Sequence, residues 1–287
     1  MRIIDLINTA SEHLSSRGFD NARLEVERLL GSVLGLSRID LYMEFDRPLT
    51  EAETGRFRTV YRRRLAHEPL QHILGATGFR DITVKTDRRA LVPRSETELL
   101  VEAAVAFLRD RENPVAADIG TGSGVIALSI AYEIPEARVV AVDISPEALE
   151  LAEENARNLG LDRRVVFICG NMLDALTEYG PFDVIVSNPP YVPTGVIPSL
   201  QPEVRDYDPL CALDGGGDGL NYIRVLVSGA PGRLKPGGLL ILECGEHHAG
   251  DIQKMIEASE TYAGCTVIKD YTGIERIVRA ETKKNAL

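Results

Sequence analysis

The chain has 287 residues, 44% of them hydrophobic and 26% charged, with a formal net charge of −11. That balance excludes a disordered chain, and the length allows two domains or one large α/β domain with an appendage. No apolar run approaches the ~20 residues of a membrane-spanning helix, and the acidic balance argues against an extended nucleic-acid footprint.

The start, Met1-Arg2-Ile3-Ile4-Asp5, turns polar too quickly for a secretory signal, so a cytoplasmic protein is expected. Residues 1–68 read as a small helical domain. Ile3, Ile4, Leu6, Ile7 and Leu14 form one helical stripe, and Leu24, Val26, Leu29, Leu30, Val33 and Leu34 form another. Arg56, Arg58, Arg62, Arg63 and Arg64 form the one basic patch, read here as the solvated face of a helix. Residues 69–94 change character: Gly75 and Gly78 punctuate an alternation in Phe79, Ile82 and Val84, which predicts a β-hairpin linker.

Residues 95–287 form the remaining domain. Ser95-Glu96-Thr97-Glu98 has the pattern of a capping box, with the Ser95 hydroxyl accepting from the residue 98 amide. From residue 115 strands and helices alternate: Val115 to Ile119, Val125 to Ala131, Arg138 to Val142, Pro146 to Leu159, Val165 to Cys169 and Val184 to Val186. This predicts an α/β fold with a parallel sheet wrapped by helices. A long polar loop follows over 192–217, then a helix near 219–230, a strand at Leu239 to Leu242, a helix near 248–259, and an antiparallel hairpin closing around 265–279. Loops of that length are often lids, and Glu203, Asp206 and Asp208 offer either a face for a basic partner or a solvated acidic loop.

Cys169, Cys211, Cys244 and Cys265 lie far apart without CxxC spacing and read as reduced, structural thiols. His247-His248 reads as a solvated pair at a helix start, and no metal is expected.

Two motifs carry chemistry. Asp118-Ile119-Gly120-Thr121-Gly122-Ser123-Gly124 closes a strand and opens a helix, where glycines let the backbone approach a ligand and the first turn offers free N–H groups. Asp143 ends the next strand, about 20 residues on, where a carboxylate can grip ribose hydroxyls. Together they indicate an adenosine-bearing cofactor, NAD or S-adenosylmethionine. Asn171 and Met172, after the third strand, are placed to flank an adenine, with a plain turn and a packed Met as the alternative reading.

The second motif, Asn188-Pro189-Pro190-Tyr191, follows the apolar run Val184-Ile185-Val186. The Asn188 side-chain oxygen and the Pro189 carbonyl are two acceptors for the two N–H groups of a planar amide or amine. Prolines lack an N–H, so the carbonyls stay free of a ladder, and Tyr191 adds a face for stacking. Such a site has no evident use in hydride transfer, and Gly-Thr-Gly-Ser-Gly is one residue shorter than the pyrophosphate-shaped G-x-G-x-x-G. Both points favour S-adenosylmethionine, with S-adenosylhomocysteine as product.

With these motifs in place, the sequence resembles the bacterial release-factor glutamine N5-methyltransferases, the HemK/PrmC family. The resemblance extends to Glu68-Pro69-Leu70-Gln71, Leu91-Val92-Pro93-Arg94, Glu203 to Pro209, Ala212-Leu213, Gly215-Gly216, Asp218-Gly219-Leu220 and Lys269-Asp270. It implies a class I S-adenosylmethionine-dependent methyltransferase, Rossmann-like, with a mostly parallel seven-stranded sheet and a small N-terminal helical domain that docks the substrate. The implied reaction is methylation of the glutamine in the Gly-Gly-Gln motif of class I peptide chain release factors; a monomer is expected, with no direct nucleic-acid contact and no membrane. The family's cofactor residues fall on Gly120 to Gly124 and Asp143, and its substrate residues on Asn188 to Tyr191. Asp118, Asn171, Met172 and Asn188 complete the cofactor set expected from the motifs, and Asn188, Pro189 and Tyr191 are the expected catalytic residues. The chain departs from the family's Arg-Pro-Asp/Glu-Thr-Glu at Ser95, and from its common acidic residue at Asn171.

Two other readings compete. An adenine N6-methyltransferase of DNA or RNA shares the acceptor-pair logic but requires base extrusion and a basic groove. A non-catalytic partner-binding module with a retained nucleotide pocket sits poorly with an intact Asn188.

Overall fold

The computed structural model describes residues 1–284. Among the described residues the chain forms two compact units, one of residues 1–76 with 202–207, the other of residues 77–201 with 208–284.

The first unit is helical. Helix α1 (Ile3–Ser16) buries Ile3, Leu6, Ile7 and Leu14, and α2 (Ala22–Leu34) buries Val26, Leu29 and Leu30 before Gly35 stops it in the left-handed region. Helices α3 (Arg38–Met43) and α4 (Glu51–Leu65) both start in capping boxes, Ser37 with Asp40 and Thr50 with Glu53, which satisfy amides that a helix end leaves orphaned. Helix α5 (Leu70–Leu74) completes a core that includes Leu41, Phe57 and Leu70.

The basic patch on α4 requires a correction. Arg56, Arg58 and Arg62 are exposed, but Arg64 is only 4% exposed, with its guanidinium 4.3 Å from the centre of the Phe19 ring. Arg64 donates to both Glu25 carboxylate oxygens at 2.6 and 3.0 Å and pairs with Glu203 at 2.8 Å. Burial of so long a cation is tolerated because paired carboxylates and an aromatic face replace water.

The second unit begins with a hairpin of β1 (Ala76–Phe79) and β2 (Ile82–Lys85), as the alternation predicts. Helix α6 (Thr97–Leu108) starts one residue later than the capping-box reading places it. Ser95 Oγ donates to Glu96 Oε2 instead, and no side chain caps the helix. Then follow β3 (Val115–Ile119), α7 (Val125–Glu133), β4 (Arg138–Asp143), α8 (Pro146–Leu159), β5 (Val165–Cys169) and β6 (Phe182–Ser187). Short turns α9 (Pro202–Arg205) and α10 (Leu210–Leu213) interrupt the loop, and α11 (Asn221–Gly229), β7 (Leu234–Glu243), α12 (Ala249–Glu257), β8 (Tyr262–Lys269) and β9 (Glu275–Thr282) complete the chain.

Among the described residues, seven strands form one sheet in the order β5-β4-β3-β6-β7-β9-β8, parallel except for β9. Alternate residues face opposite layers: Ala116, Val184, Val186 and Ile241 pack with α6 and α7, while Ala117, Ile185, Leu240 and Leu242 pack with α11 and α12. Sheets covered on both faces explain the continuous apolar runs of the sequence. Each fully buried Val, Ile or Phe of β6 contributes about 1.5–3 kcal/mol over exposure.

The loop after β6 departs from the partner-surface reading. Asp208 has a fully buried side chain and accepts from Arg94 at 2.7 Å, while Glu203 is held by Arg64; Asp206 is exposed and pairs with Arg205. His248 is half-buried and only His247 of that pair is exposed. Cys244 is buried, Cys265 half-buried, and Cys169 and Cys211 exposed, all four as free thiols. Among the described residues no helix is long and apolar enough to cross a membrane, and no cluster of His, Cys, Asp or Glu is placed to hold a metal ion.

Candidate active site

Strand order reverses direction between β3 and β6, and in open α/β sheets ligands bind at the carboxyl ends of strands near such a switch. The loop after β3 is built by its neighbours. Gly120 and Thr121 amides donate to the Val142 carbonyl at 2.8 and 2.9 Å, and the Gly122 amide donates to Asp143 Oδ2 at 2.8 Å. Gly124 has φ of +82°, and a Cβ there would lie 3.0 Å from Ala152 Cβ, so α8 packs against bare backbone.

Asp118 is fully buried beneath this loop. Its Oδ2 accepts from Thr121 Oγ1 at 2.6 Å and from the Ala127 amide at 3.1 Å, tying the loop to the first turn of α7. Burial pushes its carboxyl up to about 7 against those two hydrogen bonds, and Oδ1 has no partner among the described residues. Asp143 also accepts from the Ser145 amide at 2.9 Å, and Ser145 Oγ caps α8 at the Ala148 amide. Met172 follows β5 with φ of +50°, a conformation uncommon for a side chain of its size.

Gly120, Thr121, Gly122, Ser123, Asp143, Asn171, Met172 and Asn188 line one cavity. Met172 also packs on the core, as the packed-Met reading expects. Asp118 and Gly124 do not line the cavity and support it from below; of the residues after Asn188, Pro190 reaches it while Pro189 is buried. Sequence reading missed Ile144, Ala90 and Tyr222, which share the lining, and placed neither Arg94 nor Cys211 in the site. Ile144 is 62% exposed immediately after Asp143, an apolar side chain at a strand end that position alone signals.

At the end of β6, Ser187 Oγ donates to the Ile119 carbonyl at 2.6 Å, which locks the two strand ends together. Asn188 Nδ2 then meets Thr97 Oγ1 at 3.2 Å; Thr97 Oγ1 donates to Glu243 Oε2 at 2.7 Å; and the Tyr191 hydroxyl lies 3.3 Å from Glu243 Oε1. Glu243 ends β7 with 1% exposure, and burial pushes it up to about 7 although Thr97, Tyr191 and Arg276 favour its charge. Burial and Glu243 together push the Tyr191 hydroxyl up.

The backbone of Pro190 to Thr194 is covered by 213–219. The Val192 amide donates to the Leu213 carbonyl, the Gly215 amide to the Val192 carbonyl and the Thr194 amide to the Gly216 carbonyl, all within 2.9 Å. A Cβ on Gly215 would lie 2.8 Å from the Pro190 oxygen, and one on Gly219 would lie 2.4 Å from the Tyr191 oxygen.

Comparison with known proteins finds relatives over most of the chain. Residues 5–75 match the PrmC N-terminal domain family, and residues 111–285 match the Methyltransferase domain family. The release factor glutamine methyltransferase of Geobacter sulfurreducens is 43% identical over 269 residues, 93% of this chain and 92% of that protein. The release factor glutamine methyltransferase of Moorella thermoacetica is 42% identical over 276 residues, 96% of this chain and 97% of that protein. The crystal structure of a methyltransferase from Pyrococcus furiosus superposes with a TM-score of 0.51 at 22% identity, over 80% of this chain and 98% of that one, and shares its fold.

Proposed function

Because this chain belongs to the release factor glutamine methyltransferases, we propose that its cavity binds S-adenosylmethionine and that Asn188 to Tyr191 receive the glutamine of the Gly-Gly-Gln motif of class I peptide chain release factors. The observation that carries this reading is the position of Asn188, which lines the cavity at the end of β6 and is followed by two prolines.

The residues present fit the cofactor. A Cβ built on Gly120 meets nothing within 4 Å, so the loop's outer side is open for a ligand. Asp143 supplies carboxylate oxygens for the ribose, since each oxygen accepts one backbone N–H and keeps lone pairs free. Ile144 and Met172 give apolar faces for the adenine, and Asn171 gives a polar edge. S-adenosylmethionine supplies an electrophilic methyl group on its sulfonium.

The chain's own residues act on the acceptor. A carboxamide nitrogen is a weak nucleophile because its lone pair is delocalised into the carbonyl. Asn188 Oδ1 and the Pro189 carbonyl accept its two N–H groups and hold the nitrogen where pyramidalisation is easier, aligned for in-line attack. Tyr191, fixed through its hydroxyl by Glu243, stacks on the amide plane. The methylated amide sheds its proton to water without an assigned base.

Removing one preorganised polar contact raises the barrier by about 3 kcal/mol, so Asn188→Ala is expected to lose roughly 100-fold in kcat with little change in cofactor affinity. The assay follows labelled methyl groups from S-adenosylmethionine into a release factor, into the same factor with its motif Gln changed to Ala, and into DNA. Label is expected in the intact factor alone. Label on DNA with none on the factor, or normal turnover by Asn188→Ala, contradicts the assignment.

A further inference from the structure

Asn188 can serve as an acceptor only if its carboxamide presents oxygen, not nitrogen, to the incoming N–H groups. The two ends of a carboxamide have nearly the same shape, so something on its other side must select the orientation. Thr97 and Glu243 stand there, 3% and 1% exposed, and Thr97 also lines the cavity.

We propose that Thr97, itself oriented by Glu243, is a positioning residue that fixes the Asn188 carboxamide with Oδ1 turned toward the glutamine nitrogen. A hydroxyl has one proton and two lone pairs. In its ionised form, above about pH 7, Glu243 can only accept, so at 2.7 Å it takes the proton of Thr97. What Thr97 then offers Asn188, at 3.2 Å, is a lone pair alone. The Asn188 atom facing it must be the NH2 group, because an oxygen there would leave two acceptors in contact inside a nearly dry site. Selection of the NH2 end inward sends Oδ1 outward. The second carboxylate oxygen of Glu243 receives the Tyr191 hydroxyl at 3.3 Å, so one buried acid sets both the acceptor and the stacking ring. Glu243 does not line the cavity, and Thr97 acts on the glutamine through Asn188.

The inference rests on the reading of Asn188 as the amide acceptor, and the experiment separates the two. Methylation of a release factor is measured for the parent protein, Asn188→Ala, Thr97→Val and Thr97→Ser, with kcat, release-factor KM and cofactor Kd determined for each. Thr97→Val keeps the shape and removes the hydroxyl; it is expected to lose about 10-fold or more in kcat with KM and cofactor Kd within about twofold of the parent. Thr97→Ser restores the hydroxyl and is expected to recover kcat to within about threefold. If Thr97→Val melts below the assay temperature, Thr97→Cys, whose thiol is a weak donor and acceptor, replaces it with the same expectation. A smaller loss of kcat, an equal loss in Thr97→Ser, or a matching loss of cofactor binding overturns the proposal. An active Asn188→Ala overturns the acceptor reading itself, whereas an inactive Asn188→Ala beside an active Thr97→Val overturns only the positioning role.

Discussion

Glu243 and Asp118 are carboxylic acids at strand ends with almost no water around them, and each is pushed up to about 7 by burial. Their ordinary values are 4.5 and 3.8, so the folded protein keeps these protons at a pH where the unfolded chain has released them. The stabilisation is fully present below those ordinary values and is lost as pH rises through about 7. Around Glu243 stand Thr97 and Glu96 at the start of α6, Tyr191, Cys244 on its own strand end, and Arg276 on β9; only Arg276 carries a charge that opposes the shift. Carboxylates held near 2 by hydrogen bonds and ion pairs, such as Asp5, Glu154 and Asp270, titrate below that window. His248, lowered by burial, works in the opposite sense, so the comparison must be with a variant. The melting temperature of Glu243→Gln is expected to fall less than that of the parent between pH ~5 and ~8, which calorimetry of the ligand-free protein measures; parallel slopes contradict it. The acceptor motif was legible because Asn188 to Tyr191 are contiguous. Thr97 and Glu243 were not: 146 positions separate them, one sat inside an apparent capping box, and the other ended an apolar run.

Elements bring such residues together, and here two loops do so through backbone. The segment 213–219 lies on 190–194 with exchanged amide and carbonyl bonds, which explains why glycines recur there in the sequence. Gly219 has φ of +79°, and a Cβ would fall 2.4 Å from the Tyr191 carbonyl oxygen. Gly219→Ala is therefore expected to shift Tyr191, to lower stability by about 1–3 kcal/mol and to reduce kcat by about 10-fold or more. Urea denaturation and the methyl-transfer assay test this, and a variant equal to the parent in both contradicts it. The sequence shows a long polar loop over 192–217 but not what that loop covers. The hairpin of β1 and β2 was predicted, and the structure adds its anchor: Arg80 donates to Glu133 on α7 and its amide donates to Glu98 on α6.

At the scale of the molecule, the strand and helix order of the second unit was readable because strands buried on both faces are continuous apolar runs. The composition of the first unit was not. Residues 202–207 belong with it, and what ties them there is a contact between positions 64 and 203 that no local pattern encodes. Arg64→Ala leaves Glu25, with its side chain 15% exposed, without its cation and is expected to destabilise the first unit by about 3–5 kcal/mol. Chemical denaturation followed by circular dichroism checks this; a loss under about 1 kcal/mol, the range of a surface pair, contradicts it. The cover over the acceptor segment has a last consequence, for how this site can vary over evolutionary time. At Gly215 and Gly219 a hydrogen atom faces a main-chain oxygen, and no other amino acid supplies one there. Point substitution at either position thus displaces the acceptor backbone, and the mouth of the site is remodelled at less cost by changing the length of the loops that carry them.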